Sequence, residues 1–145
     1  MKILNEAKIS FMSNSVNEGF ARVAASGFFM MLDPTIEELA DIKTAVSEAV
    51  TNAIVHGYRN TSGRVSMTLR ILEGNLAYIR IRDNGCGIEN VKQAMEPSFT
   101  TAPEEERAGL GFAVMQTFTD KLTVRSSLNK GTTVIMQKNL RSRDE

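Results

Sequence analysis

A chain of 145 residues, 42% of them apolar, has material for one packed core and is too apolar for a disordered tail. Its 17 Lys and Arg balance 17 Asp and Glu, so the formal net charge is zero, which argues against broad binding to a nucleic-acid backbone and leaves a local basic patch open. The single cysteine, Cys86, excludes an internal disulfide, and no apolar run approaches the roughly 20 residues that span a bilayer.

The first residues, MKILNEAKISF, put Asn5 and Glu6 where a signal peptide needs an unbroken apolar core. A cytoplasmic protein folded as one domain over residues 1–145 is expected. Ala7, Ile9 and Phe11 alternate through Ile3 to Met12 and predict a strand. From Ser13 to Leu32, Val16, Phe20, Val23, Ala24, Phe28 and Met31 recur at helical spacing. Asp33-Pro34 breaks that helix, and Thr35 with Glu38 forms a capping-box pattern for a second one, running to about His56 and closed by Gly57. Arg64 to Leu72 and Leu76 to Arg82 read as strands joined through Glu73-Gly74-Asn75. Glu96 to Ala108, with its prolines, three consecutive glutamates and paired threonines, reads as a mobile loop. Helical spacing resumes from Leu110 to Asp120, and a hairpin of Lys121 to Ser127 and Thr132 to Lys138 turns at Asn129-Lys130-Gly131. Helices and strands segregate rather than alternate, so the expected fold is α+β: a two-layer sandwich of a mostly antiparallel mixed sheet with helices on one face.

Four segments carry possible chemistry. In EAVTNAIVH, Glu48, Asn52 and His56 share one helical face beside small alanines. That face is either a solvated polar stripe or a carboxylate and an amide offered to a metal-bound ligand, since Mg²⁺ prefers oxygen donors shared with phosphates. Asp83-Asn84-Gly85-Cys86-Gly87 follows a strand directly. It is either an ordinary turn or a carboxylate set to accept from an exocyclic amine, with glycines that let the backbone approach a flat ligand. Arg107-Ala108-Gly109-Leu110-Gly111 is expected to open a helix, as a hinge or as backbone amides and a guanidinium facing phosphates. It is not a Walker loop, because no Gly-Lys-Ser/Thr follows. In Asn129-Lys130-Gly131-Thr132-Thr133, a hairpin turn carries two hydroxyls, either of which can reach a purine.

The order of these segments resembles the GHKL ATPase family of histidine kinases, type II topoisomerase ATPase domains and the Hsp90 chaperone, with its asparagine helix, D-x-G-x-G, lid and G-x-G. Here the matching stretches are EAVTNAIVH, DNGCG, Pro97 to Ala108, and GLG. SEAVTNAIVHGY, PSFTTAPEEERAGLGFAVM and NKGTTV further resemble the small serine kinases that act as bacterial anti-sigma factors, most nearly those of the sigma-F type in spore-forming bacteria. The resemblance implies a homodimer that binds a sporulation sigma factor and transfers the γ-phosphoryl group of ATP to a serine of an anti-anti-sigma protein. No direct contact with nucleic acid or membrane is expected.

It also implies roles: Asn52 for Mg²⁺, Glu48 as base for the attacking hydroxyl, and Asp83 for the adenine amino group, with Gly85 and Gly87 shaping the pocket. Gly109, Leu110 and Gly111 would face the phosphates, Arg107 the terminal one, and Thr101 and one of Thr132 and Thr133 would complete the nucleotide contacts. A nucleotide-binding module without kinase activity, a water-using ATP hydrolase and a kinase for a stress sigma factor are the alternative readings.

Overall fold

A computed structural model of the chain describes residues 1–59, 61–95 and 103–140, and of residues 103–110 the backbone only. Five strands form one sheet: β1 (Ile3–Met12), β2 (Arg64–Leu72), β3 (Leu76–Asp83), β4 (Lys121–Ser127) and β5 (Gly131–Asn139), in the order β1-β2-β3-β5-β4. All four pairings are antiparallel, so the expected two-layer α+β fold is present with a sheet that is wholly rather than mostly antiparallel. Three longer helices, α1 (Asn17–Phe29), α2 (Ile36–Thr51) and α4 (Pro103–Phe118), and one short turn of helix, α3 (Val91–Ala94), accompany it.

The inward positions of β2 and β3 alternate along each strand, as a sheet with one covered face requires. Val65, Met67, Leu69, Ile79 and Ile81 point at the helices and are fully or almost fully buried against Phe29, Ile42, Val46 and Val50. Met136 of β5 and Phe112 and Met115 of α4 extend the same core. Helix α2 is central, packed between α1 and α4.

Local chemistry sets the helix ends. Helix α1 starts four residues later than expected, because Asn14 ties down the preceding turn: its side chain accepts the Val16 N–H at 3.0 Å. A 3₁₀ turn, Met30–Leu32, then leads to Asp33, held in the left-handed region at φ 52°. The capping box forms as expected: Thr35 accepts from the Glu38 N–H, and Glu38 accepts from the Thr35 N–H.

Two expectations need correction. The second helix does not stay α-helical to His56: Asn52–Gly57 widens into a π-helical turn, with the Tyr58 N–H donating to Ala53 O at 3.2 Å. The loop expected over Glu96 to Ala108 lies partly outside the described residues, but its last part is helix, since α4 begins at Pro103. Proline is tolerated at the first helical position, and Glu104, Glu105 and Glu106 stand in the first turn, where the helix dipole favours acids. A proline and a charge run, read as loop signals, are here helix-starting signals.

Candidate functional site

A cavity of about 780 Å³ opens where the end of β3 meets the start of β5. Its walls come from α2 and the π turn, from residues 86–94, from α4 and from the β4–β5 turn. Asp83 lies on its floor, only 5% exposed. Its Oδ1 accepts the Gly85 N–H at 2.9 Å, and the Thr132 backbone N–H donates to the same carboxylate. Burial nevertheless pushes the Asp83 carboxyl above the ordinary aspartate range, against these two donors.

The π turn and the turn after β3 interlock through their backbones. The Cys86 N–H donates to Gly57 O at 2.8 Å. A methyl on Gly85 would lie 2.0 Å from that same oxygen, and one on Gly57 would lie 2.8 Å from Asp83 Oδ1. Gly87 (φ 74°) and Gly131 (φ 103°) occupy left-handed conformations at equally tight places, each with a backbone oxygen 2.1 Å from where a Cβ would be. The result is a carboxylate framed by closely packed backbone from both turns.

Tyr58 follows the π turn, buried to 7% exposure. Its hydroxyl donates to Arg64 O at 2.7 Å and accepts the Asn84 N–H at 2.8 Å. On the far wall, Ser126 Oγ accepts the Ile88 N–H at 2.8 Å, donates to Gly131 O at 2.9 Å and stands 2.7 Å from Thr132 Oγ1.

Of the residues expected at the site, Asn52, Asp83, Gly87 and Thr132 line one cavity. The Asn52 amide nitrogen is buried there with no hydrogen-bond partner among the described residues, although the rest of the amide packs against Gly111, where a Cβ would lie 3.0 Å from Asn52 Oδ1. Gly85 stands behind the lining. The two threonines separate: Thr132 faces the cavity with Val134, whereas Thr133, the next residue along β5, pairs with Arg82 and Arg125 towards the other face.

Glu48 is not a lining residue. It stands one turn before Asn52, and burial, then the charge of Glu18 on α1, push its carboxyl above the ordinary glutamate range. Gly109, Leu110 and Gly111 do not open a helix, because α4 has already run for six residues by Gly109. Their N–H groups therefore fall inside a helix. Thr101 and the side chain of Arg107 lie outside the described residues.

Sequence reasoning missed Tyr58 and Ser126, which hold the two walls, and the lining residues Glu89, Gln93 and Leu128. Gly57 was legible only as a helix terminator. Among the described residues no group of three His, Cys, Asp or Glu side chains is placed to hold a metal, and no helix is long and apolar enough to cross a membrane.

Residues 12–138 match the histidine kinase-like ATPase domain. The anti-sigma F factor of Clostridium perfringens (strain SM101) is 55% identical over 137 residues, 94% of this chain and 97% of that protein. The chain belongs to the anti-sigma F factor family, built on a histidine kinase-like ATPase domain. The anti-sigma F factors of Clostridium kluyveri, 54% identical over 92% of this chain and 94% of its own length, and of Geobacillus thermodenitrificans, 48% identical over 94% and 93%, extend the likeness. Among solved structures, a blue-light activated histidine kinase of Erythrobacter litoralis superposes with a TM-score of 0.59 at 21% identity, over 77% of this chain and 33% of that one. The histidine kinase domain from that protein gives 0.55 at 18% identity, over 85% of this chain and 61% of that one. This chain spans a third of the first structure and under two thirds of the second, and at these identities the likeness is one of fold.

Proposed function

We propose that this anti-sigma factor binds ATP in the cavity, phosphorylates a serine of an anti-anti-sigma protein, and as a homodimer holds a sporulation sigma factor of the sigma-F type away from RNA polymerase. The observation that carries the ATP reading is Asp83: a buried carboxylate in a collar of glycine backbone, on the floor of a cavity large enough for a nucleotide. The histidine kinase-like ATPase domain and the names of the relatives support the rest.

Asp83 accepts the adenine amino group, and the glycines at 85, 87 and 131 let the backbone segments around it pack closely enough to hold that carboxylate in place. Guanine presents a carbonyl at that edge, which leaves two acceptors facing each other, at about 1–3 kcal/mol or more. The Asn52 amide, with a buried nitrogen lacking a partner, fits a polar ligand beside α2. Its nitrogen suits a phosphate oxygen and its oxygen suits Mg²⁺, which would neutralise phosphate charge when bound. Glu48 takes the proton of the serine hydroxyl as that oxygen bonds to the γ-phosphorus. The bond from the γ-phosphorus to the bridging oxygen then breaks, and ADP leaves with that oxygen. Positioning and charge neutralisation supply most of such catalysis. Gly109 to Gly111 offer their amides to the phosphates once the start of α4 unwinds. Arg107 reaches the terminal phosphate, and Thr101 adds a hydroxyl.

Incubation with γ-labelled ATP and an anti-anti-sigma protein, followed by mapping of the labelled residue, tests this. Label on serine supports the kinase reading. Nucleotide binding with no transfer would leave a binding module, and phosphate release without a partner would make the chain an ATP hydrolase.

A further inference from the structure

The sheet face turned away from the helices carries a lopsided charge. Cross-strand register places its side chains in rows running from β1 to β4. One row reads Glu6, Arg70, Tyr78, Gln137 and Lys121. It is internally matched: Arg70 donates to Glu6, lies over the Tyr78 ring at 5.0 Å, and holds the Glu6 carboxyl below the ordinary range. The next two rows read Lys8, Thr68, Arg80, Ile135, Thr123 and then Ser10, Ser66, Arg82, Thr133, Arg125. They contain four cations and no carboxylate.

Lys8 approaches Glu6 only at 3.9 Å, Arg80 donates weakly to Thr68 at 3.4 Å, and neither Arg82 nor Arg125 has a carboxylate partner among the described residues. A shallow hollow of about 280 Å³ lies over β1, β2 and β3, lined by Lys8, Arg80 and Arg82 with the hydroxyls of Ser10, Ser66 and Thr68, and Arg125 stands beyond it on β4. Like charges packed on one sheet face repel, and a chain of zero net charge has acids enough to intersperse.

We propose that this face docks an acidic segment of a protein partner, its carboxylates seated on Arg80 and Arg82 at the hydroxyl-lined hollow, with Arg125 at its margin. Arginine forks match carboxylates in two-point contacts, and residues 80 and 82 share one face of β3 about 7 Å apart, the repeat of an extended chain bearing acids at alternate positions. A nucleic acid fits less well, because a long polyanion meets the acids of the rest of a neutral chain. A membrane surface fits less well, because these two rows offer one large apolar side chain, Ile135, to insert. A second copy offering the acids of α2 would join head to tail, an arrangement that does not close by itself. The face lies on the opposite side of the sheet from the cavity, so docking leaves the nucleotide site open.

The test is titration of the whole protein with a synthetic peptide of alternating Glu and Thr, against a Gln-Thr peptide, duplex DNA and anionic vesicles. Saturable binding to the Glu peptide, weakening as salt rises, is expected. Arg82→Glu should lower that affinity about tenfold or more, the scale of a removed charge-assisted contact. Lys43→Glu, the same charge change on an exposed position of α2, should leave it within about twofold, as expected of a screened distant charge. Unchanged ATP affinity in both variants establishes that the fold is intact. Absence of saturable binding, equal losses in the two variants, or tighter binding of DNA or vesicles overturns the proposal. So does a mass that grows with protein concentration and is lost in Arg82→Glu, which would make the occupant a second copy.

Discussion

The Tyr58 hydroxyl accepts the Asn84 N–H at 2.8 Å, joining the residue that follows the π turn to the turn that carries Asp83. The same oxygen donates to Arg64 O, and the ring fills the space beside Gly63, where a Cβ would lie 2.3 Å from a ring carbon. One side chain thus fixes the start of β2, the end of the helical layer and the cavity floor. Tyr58→Phe keeps the ring and orphans the Asn84 N–H, at about 1–3 kcal/mol. Reduced ATP affinity by calorimetry and a lower melting temperature are expected, with a smaller change in phosphoryl transfer at saturating ATP. An unaltered affinity would show that the Asp83 turn holds its shape without the tyrosine.

The threonine pair gives a sharp contrast. Thr132 lines the cavity and Thr133 faces away from it. Thr132→Ala should weaken nucleotide binding by about 0.5–1.5 kcal/mol, the net value of one hydrogen bond, and Thr133→Ala should leave it unchanged. Calorimetric titration of both variants checks this, and the opposite order would move the hydroxyl contact to Thr133.

Gly85→Ala should be among the most damaging small substitutions. Its methyl would lie 2.0 Å from Gly57 O, so the π turn or the Asp83 turn must shift. Overpacking of this kind costs about 1–3 kcal/mol or more. A large fall in ATP affinity with a depressed melting temperature is expected. Gly74→Ala, where nothing lies within 4 Å, is the comparison, although its φ of 83° adds backbone strain of its own.

Glu48 makes a pH prediction. Burial first, and the Glu18 charge second, raise its pKa above the ordinary glutamate range. On the proposed role of Glu48 as base, its protonated form cannot accept the serine proton, so transfer should fall as pH drops through that raised value. Glu18→Gln removes one raising influence and should move the acidic limb of the rate profile to lower pH. Glu48→Gln should slow transfer by roughly 10²–10⁴-fold while ATP still binds. A limb that ignores Glu18→Gln would point to a different base.

The sequence made the architecture legible wherever period and punctuation coincide. The alternation of Ala7, Ile9 and Phe11, and the Thr35–Glu38 box, each correspond to an element in the structure. The π turn was not legible: it coincides with a tertiary contact, Gly57 O with the Cys86 N–H, that no local pattern announces. The start of α4 was misread because Pro103 and its glutamates suit a loop and a helical first turn equally. At the candidate site, Asp83, Asn52 and the glycines were legible through the order of their motifs, which resembles that of the GHKL ATPases, since each motif alone also suits an ordinary turn or a solvated helix face. Tyr58 and Ser126 did not, since a tyrosine after a helix and a serine in an edge strand carry no local signature. Their value comes from backbone partners far along the chain.

Cys86 is the chain's single thiol and it lines the cavity, half-buried, with its Sγ 3.1 Å from His56 O. That makes the protein a ready-made spectroscopic probe. A thiol-reactive dye attaches at one place only, and that place adjoins the cavity floor that carries Asp83. Protection of Cys86 from labelling by ATP would read out occupancy without any engineered residue, and a fluorine-bearing tag there would report by resonance which nucleotide is present.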